Sequence, residues 1–87
     1  MAHHKSAEKR ARQAKKREAR NHSVLRRTRT AVKGVREAIA AGDSAAAGER
    51  LRVAERELRK AATKGALPRR RVDRSVSRLA QAVHKLS

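Results

Sequence analysis

Cysteine and the aromatic residues Phe, Tyr and Trp are all absent from this 87-residue chain. The missing cysteines rule out disulfides, zinc–thiolate sites and thiol catalysis, and make a reducing compartment the natural setting. Acidic residues are scarce: 8 Asp and Glu stand against 25 Lys and Arg, for a net charge of +17. No apolar run is long enough to span a bilayer. The first residues are polar and basic with no apolar stretch behind them, so no signal peptide is expected. The length suits one domain and leaves no room for a second.

Charge dominates what is present. A chain at +17 repels itself unless a polyanion neutralises it, and a cell offers two, nucleic acid and anionic membrane surface. Arg outnumbers Lys, which favours bidentate contacts with phosphate. Without aromatics there is no platform for stacking bases, so recognition is expected to rest on phosphate, ribose and shape. Val, Leu and Ile total only 14 residues. Low aliphatic content with high net charge is a signature of disorder, so the free protein is expected to be marginally stable.

Three helical segments are separated by two breaks. At Ala41-Gly42-Asp43-Ser44, Gly42 suits the position after a helix end, and Asp43 or Ser44 suits an N-cap. At Lys64-Gly65-Ala66-Leu67-Pro68, Gly65 ends a helix and Pro68 is acceptable in the first turn of the next. Each segment carries apolar residues stepping by threes and fours, which places them on one face. The stripes are Leu25, Thr28, Val32, Val35 and Ile39; then Ala47, Leu51, Ala54, Leu58 and Ala61; then Val72, Val76, Leu79, Val83 and Leu86. Leu51 and Leu79 read as core anchors. Short loops imply antiparallel neighbours, and so an all-α three-helix bundle. Gly34 and Gly48 fall inside helices at a cost of about 1 kcal/mol each relative to Ala. Val53 lies off its stripe.

The first helix is predicted to be longer than the bundle needs. Residues 5–23 keep a helical composition but hold no Val, Leu or Ile except beyond them, and their small face is Ala7, Ala11 and Ala14. A helix from about Ser6 to Ala41 would run roughly 54 Å. The expected organisation is one RNA-binding domain over 1–87, with a basic arm over 1–23 continuing helix one and a bundle over 24–87. The arm has nothing apolar to pack on, so it should fray unless a partner holds it.

The charge is unevenly placed. Residues 1–36 are net +11, residues 37–58 net −2 and residues 59–87 net +8. Folding the hairpin at Gly42 brings the Gly65 turn beside Asn21 to Arg27. That gathers Arg59, Lys60, Lys64, Arg69, Arg70, Arg71 and Arg74 near Arg20, Arg26, Arg27 and Arg29, with the acidic stretch at the other end. On the arm, Lys5, Lys9, Arg12 and Lys16 share a face, while Arg10, Lys15 and Arg17 point elsewhere. Cations on several sides suit an arm surrounded by phosphates. The alanine face would let a backbone or ribose approach closely. Ser6, Lys33 and Arg78 complete the candidate contacts.

Nothing reads as a catalytic site. Adjacent His3 and His4 near the chain's start are poor ligands alone, and no metal or cofactor is expected. His22 sits among cations. His84 lies in the last turn of helix three, where a partial positive charge suits the dipole. Glu55 and Glu57 are two apart and do not share a helix face, so they are no acid–base pair. Glu18, Glu37 and Glu49 are expected in surface ion pairs. There is no phosphate-cradling glycine loop and no nucleophile elbow.

The order and spacing of several short motifs resembles the ribosomal protein S20 family of the bacterial small subunit. They are Lys5-Ser6-Ala7 with Lys9-Arg10, Lys16-Arg17, Arg20-Asn21, Thr30-Ala31-Val32-Lys33, Ala41-Gly42-Asp43, Ala61-Ala62 with Lys64-Gly65, and Ser77-Arg78-Leu79. The resemblance covers essentially the whole chain. It implies a three-helix bundle with a long first helix buried in RNA, and direct, early binding to 16S ribosomal RNA in the cytoplasm. It also implies contacts with the 5′ domain and the long penultimate helix near the base of the subunit. By position, the implied RNA contacts are the basic residues of the N-terminal motifs, Asn21, Lys64 and the cluster after Gly65. One departure stands out. Where the family usually has a His-Lys-Asn stretch, this chain has Pro68, Arg69 and Arg70, so the Asn that could cap helix three is missing.

Two other classes share the charge. A DNA-compacting protein would need helix-turn-helix spacing or wedge residues, which are absent. A membrane-active helix would need a wide apolar face with interfacial Trp or Phe, and the arm offers only Ala. Neither a membrane partner nor a homo-oligomer is expected.

Overall fold

The computed structural model describes the backbone of residues 2–86 and the side chains of residues 5–86; the His3 and His4 side chains lie outside that range. Three helices follow one another: α1 (Ala2–Ala40), α2 (Ser44–Thr63) and α3 (Arg69–His84). No strand occurs among the described residues. The molecule is a rod of 65 × 20 × 14 Å. Its long dimension is α1 itself, whose 39 residues span about 58 Å at 1.5 Å each.

Both turns close by the same chemistry. After α1, Gly42 takes φ +73°, a left-handed conformation open to glycine without a Cβ penalty. Its N–H donates to the Ile39 carbonyl at 3.0 Å, and the Asp43 N–H donates to the Ala38 carbonyl at 3.1 Å. These paired bonds satisfy carbonyls that the helix end leaves open. Asp43 then caps α2, its Oδ1 accepting from the Ala46 N–H at 3.0 Å. After α2, Gly65 takes φ +77°. Its N–H reaches the Ala62 carbonyl at 3.1 Å and the Ala66 N–H reaches Ala61 at 2.9 Å.

The start of α3 differs from the sequence expectation. Pro68 is not in the first turn; it is the N-cap, extended at φ −65°, ψ 140°, with no side-chain cap. Leu67 is drawn against the core, and Pro68 must redirect the chain before a helix can begin. Its carbonyl accepts the Val72 N–H at 3.1 Å.

The core is small. Val35, Ala54, Leu58, Val72 and Leu79 form one buried cluster, with half-buried Val32, Ile39, Leu51, Leu67, Val76 and Val83 around it. In α2 the expected stripe holds: Ala47, Ala54, Leu58 and Ala61 are buried, while Leu51 is only half-buried. In α1 the expected stripe holds in part. Thr28 and Val35 are buried, Leu25, Val32 and Ile39 are half-buried on the flank, and Val24 and Ala38, which lie off that stripe, are buried as well. Thr28 is tolerated there because its hydroxyl donates to the Val24 carbonyl at 2.9 Å. α3 packs mainly on α2 and touches α1 sparsely. Val53 points outward, 48% exposed.

Candidate nucleic-acid interface

α1 outruns its partners. The Arg50 guanidinium donates to the Gly34 carbonyl at 3.0 Å, which marks an antiparallel register that runs the end of α2 alongside the region of Asn21. Residues N-terminal to that point have no neighbouring helix, and every described side chain from Lys5 to Arg20 is exposed. Lys5, Ser6, Lys9, Arg10, Arg12, Lys15, Lys16, Arg17 and Arg20 therefore all stand free on a bare helix. Helical periodicity puts Lys5, Lys9, Arg12, Lys16 and Arg20 along one face. Although Glu8 and Glu18 are close in sequence, the arm's cations form no ion pair among the described residues.

Asn21 marks the junction of arm and bundle. It is half-buried, and its Oδ1 is enclosed without a hydrogen-bond partner. A buried amide oxygen favours a hydrogen-bond donor beside it.

The bundle's cations fall into separate groups. Arg29 and Lys33 on α1 face Arg71 on α3 across a groove that Leu25, Val32, Leu67 and Pro68 also line. Arg70, Arg71, Arg74 and Arg78 surround Ser75 on α3. Lys64 joins Arg56, Arg59 and Lys60 around Thr63. Arg69 is exposed at the start of α3, where unpaired backbone N–H groups and the helix dipole add positive potential. Arg26 and Arg27 are exposed but line none of these concavities. Of the cations expected to gather near the Gly65 end, Arg29 and Arg71 line one groove.

Two residues escaped sequence reasoning. Arg36 and Ser75 both line the α1–α3 groove. The spacing Arg29, Lys33, Arg36 was a usable signal for the first, since it continues one face by four and three. The acidic residues also behave differently from expectation. The ion pairs among the described residues join Arg59 to Glu55 at 3.1 Å and to Asp73 at 3.6 Å; Glu18, Glu37 and Glu49 make none. All the groups involved are substantially exposed, so these pairs contribute little.

No group of His, Asp or Glu among the described residues could hold a metal ion, and no described helix is long and apolar enough to cross a membrane. The sequence matches the family described as ribosomal protein S20 over residues 2–84. The chain belongs to the ribosomal protein S20 family. Among its S20 relatives, each named small ribosomal subunit protein bS20, one from Helicobacter pylori is 47% identical over all 87 residues, covering 98% of that protein. One from Wolinella succinogenes is 48% identical over the whole chain and 96% of its own length. One from Anaeromyxobacter is 52% identical over 98% of the chain and 93% of the relative. As an S20 family member the chain is a ribosomal protein, not an enzyme.

Proposed function

We propose that this protein is a structural constituent of the small ribosomal subunit that binds 16S ribosomal RNA directly and helps the subunit assemble in the cytoplasm. The whole chain acts as one RNA-binding domain, with the arm over residues 1–23 and the bundle over 24–87. The observation that carries this reading is the arm: a helix whose described side chains from Lys5 to Arg20 are all exposed, with no ion pair among the described residues. A helix of this composition gains from a polyanion what it lacks from packing. The names of its relatives supply the partner's class, the small subunit. Lys5, Lys9, Arg12, Lys16 and Arg20 grip phosphates along one face, Arg10, Lys15 and Arg17 along others, and Arg69, Arg70, Arg71 and Arg74 supply a second set at the head of α3.

The test is binding of the full chain to 16S ribosomal RNA as a function of salt. With about six to ten phosphates neutralised, affinity should fall by about 10³–10⁵ between 50 and 200 mM salt. Saturable binding at discrete sites with that slope is the expected result. A flat salt response, or equal affinity for duplex DNA of the same length, would overturn the reading and favour a DNA-compacting role.

A further inference from the structure

The groove between α1 and α3 is a feature the arm does not explain. Two adjoining concavities share Val32, Arg36 and Ser75. They form one channel, because α3 leans on α2 and leaves α1 sparsely covered on that side. Its apolar lining includes Val32 and Ile39 from α1 and Leu79 from α3. Its walls are cationic: Arg36 on one side, Arg71 and Arg78 on the other. No acidic residue lines either concavity.

Ser75 sits at the meeting point, lining both parts of the channel and the arginine-rich hollow beside them. It is half-buried, and its hydroxyl makes no hydrogen bond among the described residues. It shares these concavities with Arg36, Arg71 and Arg78, so a hydroxyl and guanidinium N–H groups, the donors that a phosphodiester oxygen accepts from, line one stretch of surface.

We infer that this channel seats one ribose–phosphate strand of RNA, with a phosphate held by Ser75, Arg36, Arg71 and Arg78 and the adjacent ribose resting on Val32 and Ile39. The inference rests on the ribosomal RNA reading above and adds a second grip distinct from the arm. Charge complementarity selects an anionic occupant. Charge density then favours a backbone strand over an acidic amphipathic helix. Arg29, Lys33, Arg36, Arg71 and Arg78 all line the channel with no acidic residue among them, a density of charge that suits the regularly spaced phosphates of a backbone strand better than the few carboxylates of an amphipathic helix. A strand whose riboses slide over the apolar lining while its phosphates meet the walls fits better.

The experiment maps hydroxyl-radical protection of the 16S ribosomal RNA backbone by three proteins: the natural chain, the groove variant Arg36→Ala/Arg78→Ala, and the arm variant Lys9→Ala/Arg12→Ala/Lys16→Ala. Both groove arginines are exposed, and matching thermal melts verify the fold. The groove variant should lose one short protected stretch that the arm variant keeps, and its salt slope should be shallower by about 1.5 to 2. Arg36→Lys/Arg78→Lys should restore most of the slope. If the groove variant protects the same nucleotides as the natural chain while the arm variant does not, the inference fails. If the natural chain protects nothing, the ribosomal RNA reading fails as well.

Discussion

The Arg50 guanidinium reaches across from α2 to the Gly34 carbonyl of α1 at 3.0 Å, an exposed bond that links the two long helices. Gly34 need not be glycine to allow it. A Cβ built there meets the Arg50 Cδ at 3.6 Å, an ordinary contact, and its backbone is not left-handed. Gly34→Ala should therefore keep the bond and gain helix propensity, about 0.5–1 kcal/mol. In a domain this size that raises the melting temperature by a few degrees. A lowered melting temperature would show that Arg50 cannot give way.

The other glycines divide by conformation. Gly48 lies inside α2 with open space around its Cβ position, so Gly48→Ala should stabilise by up to about 1 kcal/mol. Gly42 and Gly65 hold φ near +75°. Alanine at either should destabilise by about 1 kcal/mol, because an L side chain is strained there. Denaturant midpoints of the three variants check the sign of each.

Core truncation should follow burial. Leu58 is 3% exposed at the centre of the cluster, with Leu79 at 7%. Either leucine changed to Ala should cost about 2–5 kcal/mol, enough to abolish cooperative melting of the free protein. Leu51→Ala should be milder, since Leu51 is only half-buried.

That ordering marks where the sequence was legible and where it was not. The α2 stripe of Ala47, Ala54, Leu58 and Ala61 could be read directly, as could both glycine turns, because each depends on local spacing or backbone conformation; the cap was narrowed to Asp43 or Ser44, and the bond from the Ala46 N–H selects Asp43. The centre of α1 was legible only in part. Thr28 and Val35 lie on the expected stripe and are buried, but Val24 and Ala38 are buried too, each one position from the half-buried Leu25 and Ile39. The two faces have the same period, so only packing against α2 selects between them. The groove lined by Arg36 and Ser75 forms across α1 and α3; Arg36 continues the spacing of Arg29 and Lys33, but nothing within α3 marks Ser75. Pro68 was misplaced by one position because the pull of Leu67 into the core is a tertiary effect.

The arm should show its dependence on a partner in hydrogen exchange. Its helix from Lys5 to Arg20 has no tertiary packing, and an unsupported helix of that length is marginal in water. Amides 5–20 should exchange fast in the free protein and become protected on binding 16S ribosomal RNA, while those around Val35 and Leu58 stay protected throughout. Strong protection of the arm in the free chain would contradict this.

The central claim is that an arm of unpaired cations and a cationic groove hold this protein on ribosomal RNA. Crosslinking in living cells, followed by sequencing of the nucleic acid recovered with the protein, tests it most directly. The account predicts 16S ribosomal RNA joined at a few discrete stretches. Crosslinks dispersed over chromosomal DNA, with no enrichment of 16S ribosomal RNA, would contradict it.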